Sequence, residues 1–130
     1  MHALQAATDE KGADLIVDSV GGPMLADNIK ALAIRGRLVS VGRNGGSVGE
    51  CDLDQVAFKR AEIIGVTFRT RTPQEAVQCS ERFAAECLEA FGAGELEPVL
   101  DKVFAFDRLA EAHAYMRSDA QVGKIVIAID

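Results

Sequence analysis

The clearest hydrophobic signal begins at Asp14, where Leu15-Ile16-Val17 forms a short apolar run ahead of Asp18-Ser19-Val20 and Gly21-Gly22. A brief run rich in β-branched residues and stopped by glycine predicts a buried strand ending in a turn. Because the run is continuous rather than alternating, it favours a parallel sheet covered on both faces. Pro23 suits the first turn of a helix. Leu25, Ile29 and Leu32 then fall at i, i+4 and i+7, one face of a helix that the pattern carries to about Gly36. Arg37 to Gly42 predicts the next strand. Strand, helix and strand in this compact form make a βαβ unit, whose crossover is nearly always right-handed.

A glycine-containing loop follows from Arg43 to Asp52, then a short helix over Leu53 to Arg60 and a third strand over Ile63 to Phe68. Thr72-Pro73-Gln74-Glu75 matches a capping box with proline at the first helical position. The helix behind it should reach about Phe91, with Val77, Ala84, Cys87, Leu88 and Phe91 on one stripe and Gly92 and Gly94 as stop signals. Three pieces close the chain: a strand from Leu100 to Phe106, a helix capped by Asp107 and running to about Arg117, and a strand from Gly123 to Ile129.

Composition narrows the class. At 130 residues the chain has the length of one ordinary domain. A hydrophobic fraction of 48% and a charged fraction of 26% are those of a globular protein rather than a disordered one. The net charge of −6 argues against a nucleic-acid partner, which needs dense Lys and Arg. No apolar run approaches a membrane span, and Met1-His2-Ala3-Leu4 does not open a signal peptide. Cys51, Cys79 and Cys87 are odd in number and widely spaced, and His2 and His113 lie near no cysteine pair. That distribution suggests neither a disulfide framework nor a metal site, and points to reduced thiols in the cytoplasm.

Ligands of open parallel sheets bind outside the carboxyl ends of the strands. Here those ends are Ser19-Val20-Gly21-Gly22, Gly42-Arg43-Asn44-Gly45-Gly46 and Phe68-Arg69-Thr70-Arg71. Two are glycine-rich, which permits close backbone approach, and the third offers cations, a hydroxyl and an aromatic ring. Each feature alone has a plainer explanation: glycine as a turn former, arginine as a solvated charge. Asp18 is better suited to bonding nearby backbone than to proton chemistry. The convergence of three loops is what favours a ligand site. No nucleophile or general base stands out, and His113 and Tyr115 lie with Leu109, Ala112 and Met116 on an amphipathic helix, as packing residues would.

These residues carry a resemblance. GADLIVDSVGG, LAIRGRLVSVG and EIIGVTF resemble the later half of the Rossmann domain of medium-chain dehydrogenase/reductases, above all the quinone oxidoreductase branch of the zinc-type alcohol dehydrogenase superfamily. VFAFDRLAEAHAYMRSDAQVGKIVIAID resembles the C-terminus of the same family. The resemblance covers Gly12 to Asp130. It implies an α/β fold: a partial Rossmann-type parallel sheet with helices on both faces over residues 1–92, and a strand-helix-strand tail over 93–130 that joins the catalytic domain in full-length relatives. It also implies hydride transfer with NADP or NAD. Carried over by position, Ser19, Val20, Gly21, Gly42, Arg43, Asn44, Phe68, Thr70 and Arg71 would border the nicotinamide, and Lys124 would approach the pyrophosphate, unless it is simply an exposed lysine opening a strand.

The departures are equally informative. The dinucleotide fingerprint G-x-G-x-x-G between a strand and its helix is absent, as is the family's N-terminal catalytic domain with most of its zinc ligands. In the strand order 3-2-1-4-5-6, this chain would supply strands four to six and leave strand four as an open edge, an association hazard. That edge should be covered by another chain, by the N-terminal residues or by the C-terminal strand, with a homodimer the first expectation. The chain is therefore expected to be a fragment of an oxidoreductase, a poor binder of NADPH and inactive alone. Two alternatives remain: a non-catalytic Rossmann-like remnant serving dimerisation or partner binding, and an unrelated methyltransferase-like half, which the GKIVI tail disfavours.

Overall fold

The computed structural model describes residues 2–129. The chain divides into two compact units, Met1–Thr72 and Pro73–Asp130. In the first, helix α1 (His2–Ala7) precedes strand β1 (Ala13–Asp18), helix α2 (Leu25–Ala31), strand β2 (Leu32–Ser40), helix α3 (Leu53–Lys59) and strand β3 (Glu62–Gly65). In the second, helix α4 (Pro73–Gly92), strand β4 (Leu100–Ala105), helix α5 (Leu109–Arg117) and strand β5 (Lys124–Ala128) follow one another. The fold is α/β, with one parallel sheet in each unit: β1-β2-β3 and β4-β5.

Most elements lie where the hydrophobic pattern puts them, and the exceptions have physical causes. Helix α2 ends at Ala31, not near Gly36, because Leu32 is already extended (φ −65°, ψ 144°) and pairs with Ala13. Between that pair and Leu15↔Arg37 the register shifts, and Arg35 sits at φ 64° inside the irregularity. An apolar stripe that continues smoothly from helix into strand hides this change of conformation. The extra strand length buries Leu32 and Leu38, each 1% exposed, against Ile29 of α2, also at 1%. These three side chains are the tightest part of the core.

Asp52 caps α3 as a short acidic side chain should, accepting from the amides of Asp54 (3.0 Å) and Gln55 (3.2 Å). Helix α4 begins at Pro73, as the capping box requires. Asp107 does not cap α5. A 3₁₀ turn over Phe106–Arg108 intervenes, and neither end residue Ala105 nor Arg108 contributes a capping side chain. Helix α1 carries no sequence signal strong enough to announce it.

Among the described strands, β1 pairs with β2 alone. No described strand pairs with its outer edge: the N-terminal residues are helical, and the C-terminal strand β5 pairs with β4. The apolar run of β1 is also only partly buried, with Leu15 and Val17 at 51% and 65% exposure.

In the second unit, the phenol of Tyr115 donates to Asp101 (2.8 Å), and Val122 N donates to the same carboxylate (3.3 Å). These bonds join α5 to the turn before β5. They hold the carboxyl of Asp101 below its ordinary pKa and raise that of the Tyr115 phenol. The ring of Tyr115 lies 6.1 Å from that of Phe104, with Lys102 Nζ 3.7 Å above it. Tyr115 is thus a packing residue with a tethered tip. His113 lines an apolar groove with Leu109, Ala112, Met116, Ile125 and Ile127.

Candidate functional site

The register brings the strand ends into line. Asp18 pairs with Ser40, and Ser40 with Gly65, so β1, β2 and β3 all finish at one edge of the sheet. Strand β3 is shorter than its sequence suggests. It stops at Gly65, and although Val66 N still donates to Ser40 O (3.1 Å), the chain then turns away, with Arg71 N donating to Phe68 O (3.3 Å). This departure opens a cleft of about 580 Å³ between the exits of β2 and β3. Its walls are Val41, Gly42, Arg43 and Asn44 on one side and Val66, Thr67, Phe68 and Arg69 on the other. The cleft lies where ligands of open parallel sheets bind.

The exits of β1 and β2 are joined to each other by main chain. Asp18 O accepts from Val41 N (2.8 Å) and Gly42 N (3.1 Å), Ser19 O from Asn44 N (3.2 Å), and Val20 O from Gly45 N (2.8 Å). Gly22 N donates to Gly46 O (2.9 Å), and Gly21 and Gly46 form a parallel bridge. A Cβ on Gly42 would stand 2.6 Å from Ser19 O, and one on Gly21 would stand 2.5 Å from Gly46 O. The glycines of both loops therefore serve a third purpose beyond turns and ligand approach: they let two loops pack backbone against backbone.

Asp18 is the buried polar residue that holds this junction, at 7% exposure. Its Oδ1 accepts from Val20 N (2.8 Å), and its two oxygens accept from Gly21 N at 3.2 and 3.0 Å. As its sequence context suggests, it organises backbone and is not placed for proton transfer.

Of the residues selected from sequence, the cleft brings together Gly42, Arg43, Asn44 and Phe68. Ser19, Val20 and Gly21 stand one loop away, bonded to the β2 exit. Thr70 and Arg71 lie just beyond the wall, and the Arg71 guanidinium stacks 4.9 Å from the centre of the Phe68 ring. Lys124 opens β5 in the second unit. The sequence pattern did not mark Val41, Val66 or Thr67 as lining, and Arg69 stood in it only as one of the cations of the third strand end. The early end of β3 is what exposes them, and Thr67 gives a local sign of it by accepting from Arg69 N (3.2 Å). Among the described residues no three His, Cys, Asp or Glu side chains group so as to hold a metal ion, so the residues present do not make a zinc site.

A family model described as zinc-binding dehydrogenase matches residues 1–127. The chain is similar to the quinone oxidoreductase of Homo sapiens, at 28% identity over 121 residues, which are 92% of this chain and 35% of that protein. Among solved structures, an alcohol dehydrogenase superfamily protein from Novosphingobium aromaticivorans aligns with a TM-score of 0.74 and 26% identity over 99% of this chain and 40% of its own. A mycobacterial protein solved in complex with NADPH shares the fold with a TM-score of 0.73 at 22% identity, over 98% of this chain and 39% of its own. The chain spans about a third of the length of the quinone oxidoreductases and quinone oxidoreductase-like proteins it matches.

Proposed function

The chain belongs to the zinc-binding dehydrogenase family, and from that premise we propose that it is the nicotinamide-facing, C-terminal part of an NADP- or NAD-dependent oxidoreductase of the quinone oxidoreductase and alcohol dehydrogenase kind. The observation that carries this is the cleft between the exits of β2 and β3, built on the carboxyl edge of a parallel sheet. The bound cofactor would supply the hydride. Gly42, Arg43, Asn44 and Phe68 would flank its nicotinamide, with Ser19 to Gly21 setting the position of the β2 loop, Thr70 and Arg71 backing Phe68, and Lys124 the candidate for the pyrophosphate.

The described residues provide no ligand set for zinc. Nor does the chain carry G-x-G-x-x-G, the backbone cradle for a dinucleotide's pyrophosphate. Binding by the chain alone should therefore be weak, with a Kd above about 100 µM, some 1,000-fold or 4 kcal/mol short of a submicromolar site, and turnover without the remaining two-thirds of the family's length should be absent. Saturation-transfer NMR with millimolar NADPH tests the assignment. The nicotinamide ring protons should receive more saturation than the adenine protons. A stronger adenine signal would sink the placement, and submicromolar binding would contradict the predicted weakness.

The reading includes a partner and a compartment. The unpaired outer edge of β1 calls for another strand, from a second copy of this chain or from a complementing chain. This favours a homodimer, and it is the observation behind the second reading, a non-catalytic module for dimerisation or partner binding. Sedimentation velocity of the purified chain should show a dimer at tens of micromolar, whereas a clean monomer there would leave only the complementing chain. Three unpaired cysteines suit the reducing cytoplasm, and no described helix is long and apolar enough to cross a membrane.

A further inference from the structure

The same cleft has a charge character that the family assignment does not explain. Residues 1–72 carry nine basic and nine acidic side chains, while residues 73–130 carry five and eleven, so the chain's net charge of −6 resides wholly in the second part. Within the neutral first part, three guanidinium groups gather at the strand exits: Arg43 and Arg69 line the cleft, and Arg71 stacks on its Phe68 wall. No lining residue is acidic. Neither Arg43, Arg69 nor Arg71 forms an ion pair with any described residue, the two ion pairs being Arg82–Glu86 and Arg108–Glu111. The nearest candidate, Asp18, shares a small adjoining cavity with Arg43, but its oxygens are occupied by the amides of Val20 and Gly21.

The apolar part of the lining is Val41, Val66 and Phe68, with Val41 and Phe68 47% and 60% exposed, beside Asn44 and Thr67. An apolar floor with unpaired guanidinium groups around it suits a flat ligand that carries an anion. Guanidinium is the cation best shaped for a carboxylate or phosphate, which it grips by two parallel bonds. Cations with no neighbouring acid also raise the local potential and draw anions in.

We propose that the substrate accepted in this cleft is an acidic carbonyl or quinone compound, bearing a carboxylate or phosphate beside its flat reducible part, rather than a neutral quinone. This rests on the reading of the cleft as the nicotinamide-facing site. Arg43 and Arg69 bind the anion, and Phe68, held by Arg71, stacks on the ring. The competing source of the same chemistry is the phosphate next to the cofactor's own nicotinamide.

Titration of the ¹⁵N-labelled chain with three probes tests it: 1,4-naphthoquinone, the same ring system carrying a carboxylate, and reduced nicotinamide mononucleotide. The carboxylated quinone should shift the signals of Gly42, Asn44 and Phe68 and bind about fivefold or more tighter than the neutral one, the gain expected of charge-assisted bonds in an open cleft. The double substitution Arg43→Gln with Arg69→Gln should erase that preference by lowering the affinity for the carboxylated quinone to that for the neutral one. Equal affinity of the two quinones, or no binding of either at millimolar concentration, overturns the proposal. So does displacement of the carboxylated quinone by the mononucleotide at equal or lower concentration, because the cations would then serve the cofactor phosphate. If the carboxylated quinone binds as expected while neither the mononucleotide nor NADPH shifts the cleft, the anion site stands and the nicotinamide reading falls.

Discussion

Replacing Gly21 by alanine should destabilise the chain by about 3 kcal/mol or more, the sum of a glycine-only backbone and a steric clash. Gly21 lies at φ 91°, ψ −136°, a region closed to side chains, and its new methyl would meet Gly46 O at 2.5 Å. The carbonyl cannot retreat freely, since Gly46 O accepts from Gly22 N and Gly46 N donates to Arg43 O (3.1 Å). Pushing it away would therefore disturb the β2 loop that forms one wall of the cleft. Urea denaturation at fixed protein concentration should show the midpoint falling by roughly 2 M, for a slope of about 1.5 kcal/mol/M. Gly65→Ala is the contrast. Nothing lies within 4 Å of its would-be methyl, so its stability should stay within about 0.5 kcal/mol of the parent or rise slightly. Similar behaviour of the two variants would show that the loop junction is not the rigid support described above.

This contrast also shows how far the sequence could be read. Both glycines follow apolar runs; the one-dimensional pattern reads Gly21 as a turn and Gly65 as part of a strand, but does not show which of them is crowded. Gly21 is dictated by a neighbour 25 positions away, through the Gly21–Gly46 bridge, and only the three-dimensional approach of two loops makes it indispensable. The elements themselves were legible wherever periodicity met a local stop signal. Asp52 before α3 and Thr72-Pro73 before α4 are examples, because caps act within three or four residues. Boundaries set by long-range pairing were not legible. Leu32 continues the helical stripe of α2, yet its ladder partner Ala13 draws it into β2. Val66 to Phe68 continue the apolar run of β3, yet they leave the sheet after Gly65.

The same division applies to the cleft. Its location followed from strand polarity alone, since parallel strands place their carboxyl ends together. Its lining depended on where β3 stops, so Val66 and Thr67 emerged from the structure while Gly42, Arg43, Asn44, Phe68 and Arg69 stood at the strand ends named beforehand. The open edge of β1 was legible for a different reason. The sheet order that the resemblance implies leaves the first strand with one neighbour, and β1 pairs with β2 alone among the described strands.

Lys59 carries the other large effect, at the opposite end of the strands. Its Nζ donates to Ile29 O (3.1 Å), Lys30 O (2.6 Å) and Leu32 O (2.6 Å), three carbonyls at the point where α2 becomes β2. A helix C-terminus leaves such carbonyls without intrahelical partners and carries a partial negative charge. One ammonium from α3 satisfies both needs. Partial burial lowers the pKa of Lys59, a cost that three carbonyl acceptors offset. Lys59→Met keeps the aliphatic stem and removes the three bonds, so it should cost about 2 kcal/mol, the range for charge-assisted bonds whose acceptors stay partly sheltered. Lys30→Met, which removes an exposed ammonium with no bonded partner from the same helix end, should change stability by no more than about 0.5 kcal/mol. The loss should also be local in kind. Hydrogen exchange in Lys59→Met should speed up at Leu32 to Gly36, where the register of β2 is anchored, while the amides of Gly42, Asn44 and Gly45, bonded to the β1 exit, keep their relative protection. A Lys59→Met variant as stable as the parent would mean that the turn from α2 into β2 is held by the burial of Ile29 and Leu32 alone. Equal loss of protection at both ends of β2 would mean instead that the sheet opens as one unit, with the cleft no sturdier than its far end.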